Sequence, residues 1–226
     1  AYLLAAGMNQ IVEDYLHRDA FLLGKVAKYL TESDQPASLF AARIIRFIAA
    51  ALARLREYEP RTRWLIHWQA DWAALVQQLA DIVADPTCAR AISNEELHNW
   101  GEALVTPSKR FPSRLRREIL HLPSCFRGFD QQPADLERLI REFSPRWTDR
   151  NKPLVVGGVR TSGSYLAPLL AAFLKLCDYR DVRVLTLRPE RRLLQSERAM
   201  LQIAIGRGGL VLLTDDPPVT GSSVIK

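Results

Sequence analysis

The chain has 226 residues, of which 48% are hydrophobic and 25% are charged, a balance that excludes a largely disordered protein. Its 31 basic residues exceed its 25 acidic ones and give a formal net charge of +6, which favours an anionic ligand. The basic residues form no dense block interleaved with aromatic ones, so we do not expect a nucleic-acid partner.

The cysteines and the most apolar segment indicate the compartment. Cys88, Cys125 and Cys177 are too far apart in sequence for a zinc knuckle or a CxxC pair, and their odd number argues against a disulfide framework. The most apolar segment, residues 39–55, is interrupted by three arginines and predicts an amphipathic helix, not a membrane span. The N-terminus carries no signal-peptide pattern. We therefore expect a cytoplasmic protein without a membrane partner.

Residues 1–150 are predicted to form an all-helical region. Apolar residues recur there at helical spacing, and turn-forming segments separate the predicted helices. The predicted breaks are residues 32–36, 57–62, 84–87, 106–113 and 129–135. Trp64, Trp68 and Trp72 stand at i, i+4 and i+8, a spacing that favours a stripe in the core over a platform for stacking bases.

Other residues of the helical region give weaker signals. It contains four histidines: His17, His67, His98 and His121. They are scattered singly without a metal-binding spacing, so we expect them to be structural or exposed. Residues 122–130 are rich in aromatic residues and contain Arg127 and Asp130. Two interpretations of this segment stay open: part of a hood over a bound base, or a linker that packs on a sheet.

From residue 153 onward, short strands alternate with helices. The predicted strands are residues 153–159, 182–189 and 209–216, and the predicted helices are residues 164–177 and 189–207. This alternation predicts a parallel sheet with helices on both faces. The predicted fold class is therefore α/β, with the all-helical region (residues 1–150) followed by a partial parallel-sheet, Rossmann-like core (residues 151–226).

The loops that follow the strands are the candidate binding segments, because parallel sheets bind ligands beyond the carboxyl ends of their strands. The loop after the first strand reads GGVRTSGSYLAP, and the loop after the third reads DDPPVTGSS. Small and hydroxyl residues before a helix let backbone N–H groups point at an anion. Both loops therefore look like phosphate cradles, although neither carries a Walker lysine or a G-x-G-x-x-G pattern.

The last third of the chain resembles the type I phosphoribosyltransferases. The likeness to that family's motif for phosphoribosyl pyrophosphate (PRPP) is carried by Leu210 to Leu213, Asp215, Asp216, Thr220, Gly221, Ser222 and Ser223. The segment GVRTSGS, ahead of the first predicted helix of the sheet region, is similar to the family's pyrophosphate loop. The resemblance implies a phosphoribosyltransferase core whose sheet continues beyond these motifs. We therefore expect a longer natural polypeptide, with additional domains or an oligomer as partners.

The resemblance also implies a role for each site residue. Asp215 and Asp216 would hold the ribose hydroxyls of PRPP, directly or through metal-bound water, as catalytic residues and metal ligands. Arg160 would be the third catalytic residue and would supply a fixed charge to the pyrophosphate. The remaining binding residues would be Thr161, Ser162 and Gly163 for pyrophosphate, and Thr220, Gly221, Ser222 and Ser223 for the 5-phosphate. The implied cofactor is Mg²⁺, and the implied partners are PRPP and a small nitrogen-containing acceptor.

Three function classes remain open. The first is an enzyme that transfers phosphoribosyl from PRPP to a nitrogen acceptor and releases pyrophosphate. The second is a regulator that senses PRPP without turnover and uses the helical region to bind a partner. The third is a structural module whose loops have lost their ligand. Arg191, Arg192 and Arg198 could form the mobile basic cover that turnover needs, which favours the enzyme.

Overall fold

The computed structural model describes residues 1–33, 35–57, 59–91, 93–120, 132–159, 161–187 and 193–215. The helices of the first part are α1 (Tyr2–Thr31), α2 (Pro36–Glu57), α3 (Pro60–Ala84), α4 (Asn94–Trp100) and α5 (Pro133–Phe143). The second part consists of β1 (Leu154–Val159), α6 (Gly163–Leu176), β2 (Val182–Leu187), α7 (Gln195–Gly206) and β3 (Leu210–Thr214). Among the described residues no strand precedes β1, so the predicted helical first part and the three predicted strands are confirmed.

The helices begin where local chemistry predicts. α2 and α3 each start on a proline, which suits the first turn because that position needs no backbone N–H donor. At the start of α5 the Gln132 N–H donates to the Asp135 carboxylate at 2.8 Å. At the start of α7 the Leu194 N–H donates to Glu197 at 2.6 Å. These bonds satisfy backbone donors that an isolated helix would leave open.

The three strands form a parallel sheet in the order β2-β1-β3. Helix α6 covers the face of the sheet that carries Val156, whereas α7 covers the face that carries Val155. Right-handed crossovers place helices on opposite faces when the direction of strand addition reverses. The strand order therefore contains a switch between β1 and β3, and the fold is α/β with helices on both faces.

Helix α6 is enclosed on both sides, and every residue from Gly163 to Leu174 is buried. The sheet covers one side, and α1, α3 and α5 pack on the other. Ala6, Val76 and Ile140 of these outer helices belong to the same hydrophobic core as Leu170 of α6. The helical region and the sheet region thus share one core, which explains why α6 is apolar all round.

The tryptophan stripe lies in the core, as predicted. Trp68 is 4% exposed, and its ring stacks on that of Trp72 with 5.1 Å between centroids. Its indole N–H donates to the Leu104 carbonyl at 2.9 Å, while the Trp72 indole N–H donates to the Ala5 carbonyl at 2.8 Å. Because both indole donors are satisfied within the protein, the stripe ties α3 to its neighbours and offers no platform for bases.

The histidines and cysteines can be located in part. His67 and His98 are exposed, as expected, and Cys88 and Cys177 are free. The His17 side chain, His121, Cys125 and residues 122–130 lie outside the described residues. Within the described ranges, none of the helices combines the length and the apolar character needed to cross a bilayer.

Tyr2 ties the start of α1 to α6. Its side chain is 7% exposed, and its hydroxyl donates to the Tyr165 carbonyl. Burial, reinforced by the nearby Tyr165, raises the pKa of the Tyr2 phenol above its ordinary value of 10.0. Above that pH the unfolded chain loses this proton while the folded chain keeps it, so the free energy of unfolding falls as the pH rises.

We expect Tyr2→Phe to reduce this alkaline loss of stability. Urea unfolding between about pH 9 and pH 11 should show a smaller decrease in the variant than in the wild type. Tyr29 is 77% exposed, and Tyr29→Phe is the matched control, which should keep the wild-type dependence. Equal pH dependence in Tyr2→Phe and the wild type would contradict a neutral, buried Tyr2.

Candidate functional site

The first turn of α6 lies directly against the ends of β1 and β3. A Cβ atom on Gly163 would come within 2.5 Å of the Gly158 carbonyl carbon and 2.6 Å of the Thr214 carbonyl oxygen. A Cβ atom on Gly158 would come within 2.0 Å of the Gly163 carbonyl oxygen. These neighbours are backbone atoms, so only glycine permits the approach. The carboxyl ends of β1 and β3 therefore lie side by side under the first turn of α6.

This meeting point coincides with the switch in strand order. Gly158 pairs with Thr186 of β2 on one side and Thr214 of β3 on the other, so the carboxyl ends of the three strands are level. Strands added in opposite directions leave a crevice between their diverging crossovers, and open α/β sheets bind their ligands there. By this rule the edge between the ends of β1 and β3 is the candidate site, and we call it the candidate crevice.

Four of the predicted site residues lie at this edge. Thr161 is exposed, Ser162 is 4% exposed and Gly163 is buried. The Ser162 carbonyl accepts the Tyr165 N–H at 2.9 Å and so starts α6. Asp215, which is half-buried, directly follows β3. The structure thus brings the pyrophosphate-type loop and the first residue of the acidic pair to one edge of the sheet.

The other predicted site residues cannot be placed. Those outside the described residues are Arg160, Asp216, Thr220, Gly221, Ser222 and Ser223. Of the basic residues expected to cover the site, Arg191 and Arg192 also lie outside the described residues, whereas Arg198 is exposed on α7. Their predicted roles remain predictions.

A buried hydroxyl that the sequence did not single out lies in the first turn of α6. Ser164 is 5% exposed, and its Oγ has no hydrogen-bond partner among the described residues. Buried polar atoms nearly always have a partner, and the N-terminus of a helix attracts anions. An anion bound at this N-terminus would be a suitable acceptor for the Ser164 hydroxyl.

A buried carboxylate from the helical region reaches the same edge. Glu13 of α1 is 6% exposed, and its Oε1 accepts the Thr186 hydroxyl at 2.5 Å and the Gln69 amide at 3.2 Å. Hydrogen bonds in a low-dielectric interior are stronger than in water, and a buried acidic group that lost them would pay its desolvation cost in full. Glu13 therefore fastens α1 and α3 to the end of β2, next to the candidate crevice.

The sequence contained only a weak signal for Glu13. Tyr2, Ala6 and Glu13 stand at i, i+4 and i+11 of α1, so they share one helix face, and that face is buried. An acidic residue on a buried face needs a partner. That partner, Thr186, is 173 positions away in the chain, so the sequence pattern alone could not identify it.

Replacing Thr186 by valine should destabilise the fold, because the buried Glu13 carboxylate loses one of its donors. We expect the free energy of unfolding to fall by about 1 to 3 kcal/mol. Thr62→Val is the matched control, since the Thr62 hydroxyl also donates to a glutamate, Glu59, but at an exposed position. Urea denaturation should show a much smaller change there. Equal losses in the two variants would mean that burial of the Glu13 bond is not what matters.

The chemistry of this edge can be stated from its groups. A helix N-terminus and a buried hydroxyl suit an anion, and a half-buried carboxylate after the neighbouring strand suits hydroxyl donors or a hard cation. A ligand that carries both anionic groups and free hydroxyls matches these groups.

Comparisons of this chain with models of protein families, with curated proteins and with solved structures found no match.

Proposed function

We propose that the protein binds PRPP and transfers its phosphoribosyl group to a nitrogen acceptor with release of pyrophosphate. The observation that carries this proposal is the close packing of Gly163 against Gly158 and Thr214. It brings Thr161 to Gly163 to the same edge of the sheet as Asp215, and these residues belong to the two segments that resemble the PRPP-binding loops of type I phosphoribosyltransferases. Under this proposal the three-stranded parallel sheet belongs to a Rossmann-like phosphoribosyltransferase core.

The binding roles follow from the chemistry of each loop. The turn from Thr161 to Gly163 would hold the diphosphate at the N-terminus of α6, with Arg160 adding charge, and Ser164 supports this role because its hydroxyl is buried there. Asp215 and Asp216 would accept hydrogen bonds from the ribose hydroxyls. The 5-phosphate would be bound by residues 220–223, a run of hydroxyl residues around a glycine.

Mg²⁺ fits the donors of the proposed site. Mg²⁺ prefers hard oxygen ligands and keeps several waters, so it needs few protein carboxylates when a diphosphate shares it. Asp215, half-buried after β3, and Asp216 would hold it. When bound, the ion would neutralise part of the diphosphate charge.

The protein's part in the reaction would be positioning and electrostatic stabilisation. The bond between C1 of the ribose and the diphosphate oxygen breaks, and its electron pair leaves with pyrophosphate. The nitrogen of the acceptor forms the new bond to C1 from the opposite face. Donors around the diphosphate stabilise the charge that develops on it, and fixed ribose contacts hold C1 in line with the acceptor. No covalent intermediate with the protein is required.

A PRPP-sensing regulator is the second candidate function, and the burial of α6 favours it. This helix starts at the proposed diphosphate site, and α1, α3 and α5 pack along its outer side. A ligand that changed the position of α6 would therefore act directly on the helical region.

Calorimetric titration of the intact protein with PRPP and Mg²⁺ tests the proposal, combined with an assay of pyrophosphate release against a panel of nitrogen acceptors. Binding with turnover would support the enzyme. Binding without turnover on any acceptor would favour the regulator. Absence of PRPP binding would contradict both the enzyme and the regulator, and a structural module without a ligand would be the remaining interpretation. Ribose 5-phosphate and pyrophosphate, titrated separately, are the controls for binding to a single loop.

A further inference from the structure

Helix α2 presents an apolar surface to solvent. This apolar stripe consists of Phe40, Ile44, Phe47, Ile48, Leu52 and Leu55, whose exposures range from 43% to 75%. The opposite face of the helix, around the fully buried Ala42, packs mainly on α1. The stripe spans sixteen residues, about 22 Å of helix. An apolar surface of this extent marks an interaction site, and it lies outside the residues of the candidate crevice.

One edge of the stripe is basic. α2 contains four arginines and one glutamate. Arg43 is exposed one helical turn from both Phe40 and Phe47, and the exposed Arg46 lies one turn beyond Arg43. Within the part of the chain that the structure describes, neither of these two arginines forms an ion pair. Guanidinium groups bind carboxylates through two parallel hydrogen bonds, so this edge suits an acidic partner.

The basic edge also borders a cleft. An open surface depression of about 390 Å³ at the N-terminal end of the stripe is lined by Thr31, Leu39, Phe40, Arg43 and Arg46. The Arg46 guanidinium donates to the Thr31 hydroxyl at 3.5 Å, which holds it at the rim. A concave site with apolar and basic walls fits a side chain of a partner protein better than a flat lipid surface does.

A second copy of the chain is a poor match for this surface. Two α2 helices that met through their stripes would both bring arginines to the rim of the interface, and α2 has a single glutamate to face them. Such a pair lacks charge complementarity, which opposes association. The net charge of +6 adds a general repulsion between two copies. An oppositely charged partner avoids it.

We propose that α2 docks an acidic amphipathic helix of a partner protein. The apolar face of that helix would cover the stripe from Phe40 to Leu55, and its carboxylates would pair with Arg43 and Arg46 at the cleft. This arrangement is the helix-in-groove mode of recognition, in which apolar anchors supply affinity and charges at the edge select the partner. The proposal does not depend on PRPP binding.

Two synthetic helical peptides of about 18 residues, five turns, test this proposal. Both carry the same apolar stripe, one with glutamates and the other with lysines along its edge, and fluorescence anisotropy measures their binding. We expect the glutamate peptide to bind at least about 10-fold more tightly, a difference of about 1.4 kcal/mol. Arg43→Glu/Arg46→Glu should reverse this preference, and Phe47→Ser should weaken the binding of the glutamate peptide at least about 10-fold.

Arg116→Glu/Arg117→Glu, with the same charge change at exposed positions outside α2, should keep the preference for the glutamate peptide. All of these substitutions are at exposed positions, so circular dichroism should show a folded chain. Equal binding of both peptides, or a preference that the Arg43→Glu/Arg46→Glu variant keeps, would overturn the proposal. Two other results would also overturn the proposal if the peptides showed no selectivity. One is binding of the protein to phosphatidylserine vesicles that Phe47→Ser abolishes, and the other is a dimer in light scattering that Phe47→Ser abolishes.

Discussion

Gly163→Ala is expected to destabilise the fold by about 3 kcal/mol and to abolish ligand binding in the crevice. The added Cβ would lie 2.5 Å from the Gly158 carbonyl carbon and 2.6 Å from the Thr214 carbonyl oxygen. Neither backbone atom can retreat without moving a strand, so α6 would have to shift. Overpacking of this kind costs about 1 to 3 kcal/mol, and more when the backbone moves.

Gly206→Ala is the matched control for this prediction. A Cβ on Gly206 would meet no atom within 4 Å, and alanine suits a helix better than glycine does, so α7 should tolerate the change. Urea unfolding measures both variants, and calorimetry measures their PRPP binding. Wild-type stability and affinity in Gly163→Ala would show that the first turn of α6 does not need its close contact with β1 and β3.

Much of the fold could be predicted because its signals are local. Pro36 and Pro60 start helices at two of the predicted breaks, and the three apolar runs correspond to β1, β2 and β3. The order β2-β1-β3 could not be read from these runs, since every order of three parallel strands has the same local pattern. It depends on which helix covers which face of the sheet, and that depends on contacts between distant residues.

The apolar residues of α2 show a second limit. Phe40, Ile44, Phe47 and Ile48 have the spacing of a helix face, and the predicted helix is confirmed. Periodicity cannot tell which face is buried, however, and the structure buries the face around Ala42 while Phe47 is 75% exposed. Alanine on the inner face allows α2 to approach α1 closely, whereas the larger side chains remain available for a partner.

The position of four candidate residues at the carboxyl edge of the sheet could be predicted from the sequence, whereas the side chains that surround this edge could not. Thr161, Ser162, Gly163 and Asp215 could be selected because hydroxyl, glycine and acidic residues follow predicted strands. The buried bond between Glu13 and Thr186 joins the two ends of the chain, so its detection required the tertiary structure. It shows that the helical region contributes to the edge of the sheet on which the proposed site lies.

Replacing both acidic residues, Asp215→Asn/Asp216→Asn, should weaken PRPP binding at least about 100-fold, or about 2.7 kcal/mol. Each carboxylate that accepts a ribose hydroxyl contributes about 1.5 to 3 kcal/mol through a charge-assisted hydrogen bond. The sign of this prediction is diagnostic. Removing two negative charges should by itself strengthen the binding of an anion, so a loss of affinity requires specific contacts that the carboxylates make.

Two controls separate the ribose contacts from general electrostatics. Pyrophosphate titrated without Mg²⁺ meets neither the ribose contacts nor the metal ligands of the acidic pair, so the double variant should bind it within about 3-fold of the wild type, a difference of about 0.7 kcal/mol. Asp149→Asn/Asp178→Asn makes the same charge change at exposed positions near the amino ends of β1 and β2 and should retain PRPP affinity. Calorimetry measures the wild type and both double variants, with Mg²⁺ for PRPP and without it for pyrophosphate. If Asp215→Asn/Asp216→Asn bound PRPP as tightly as the wild type does, the acidic pair could not be the ribose site, and the proposed function would lose its central contact.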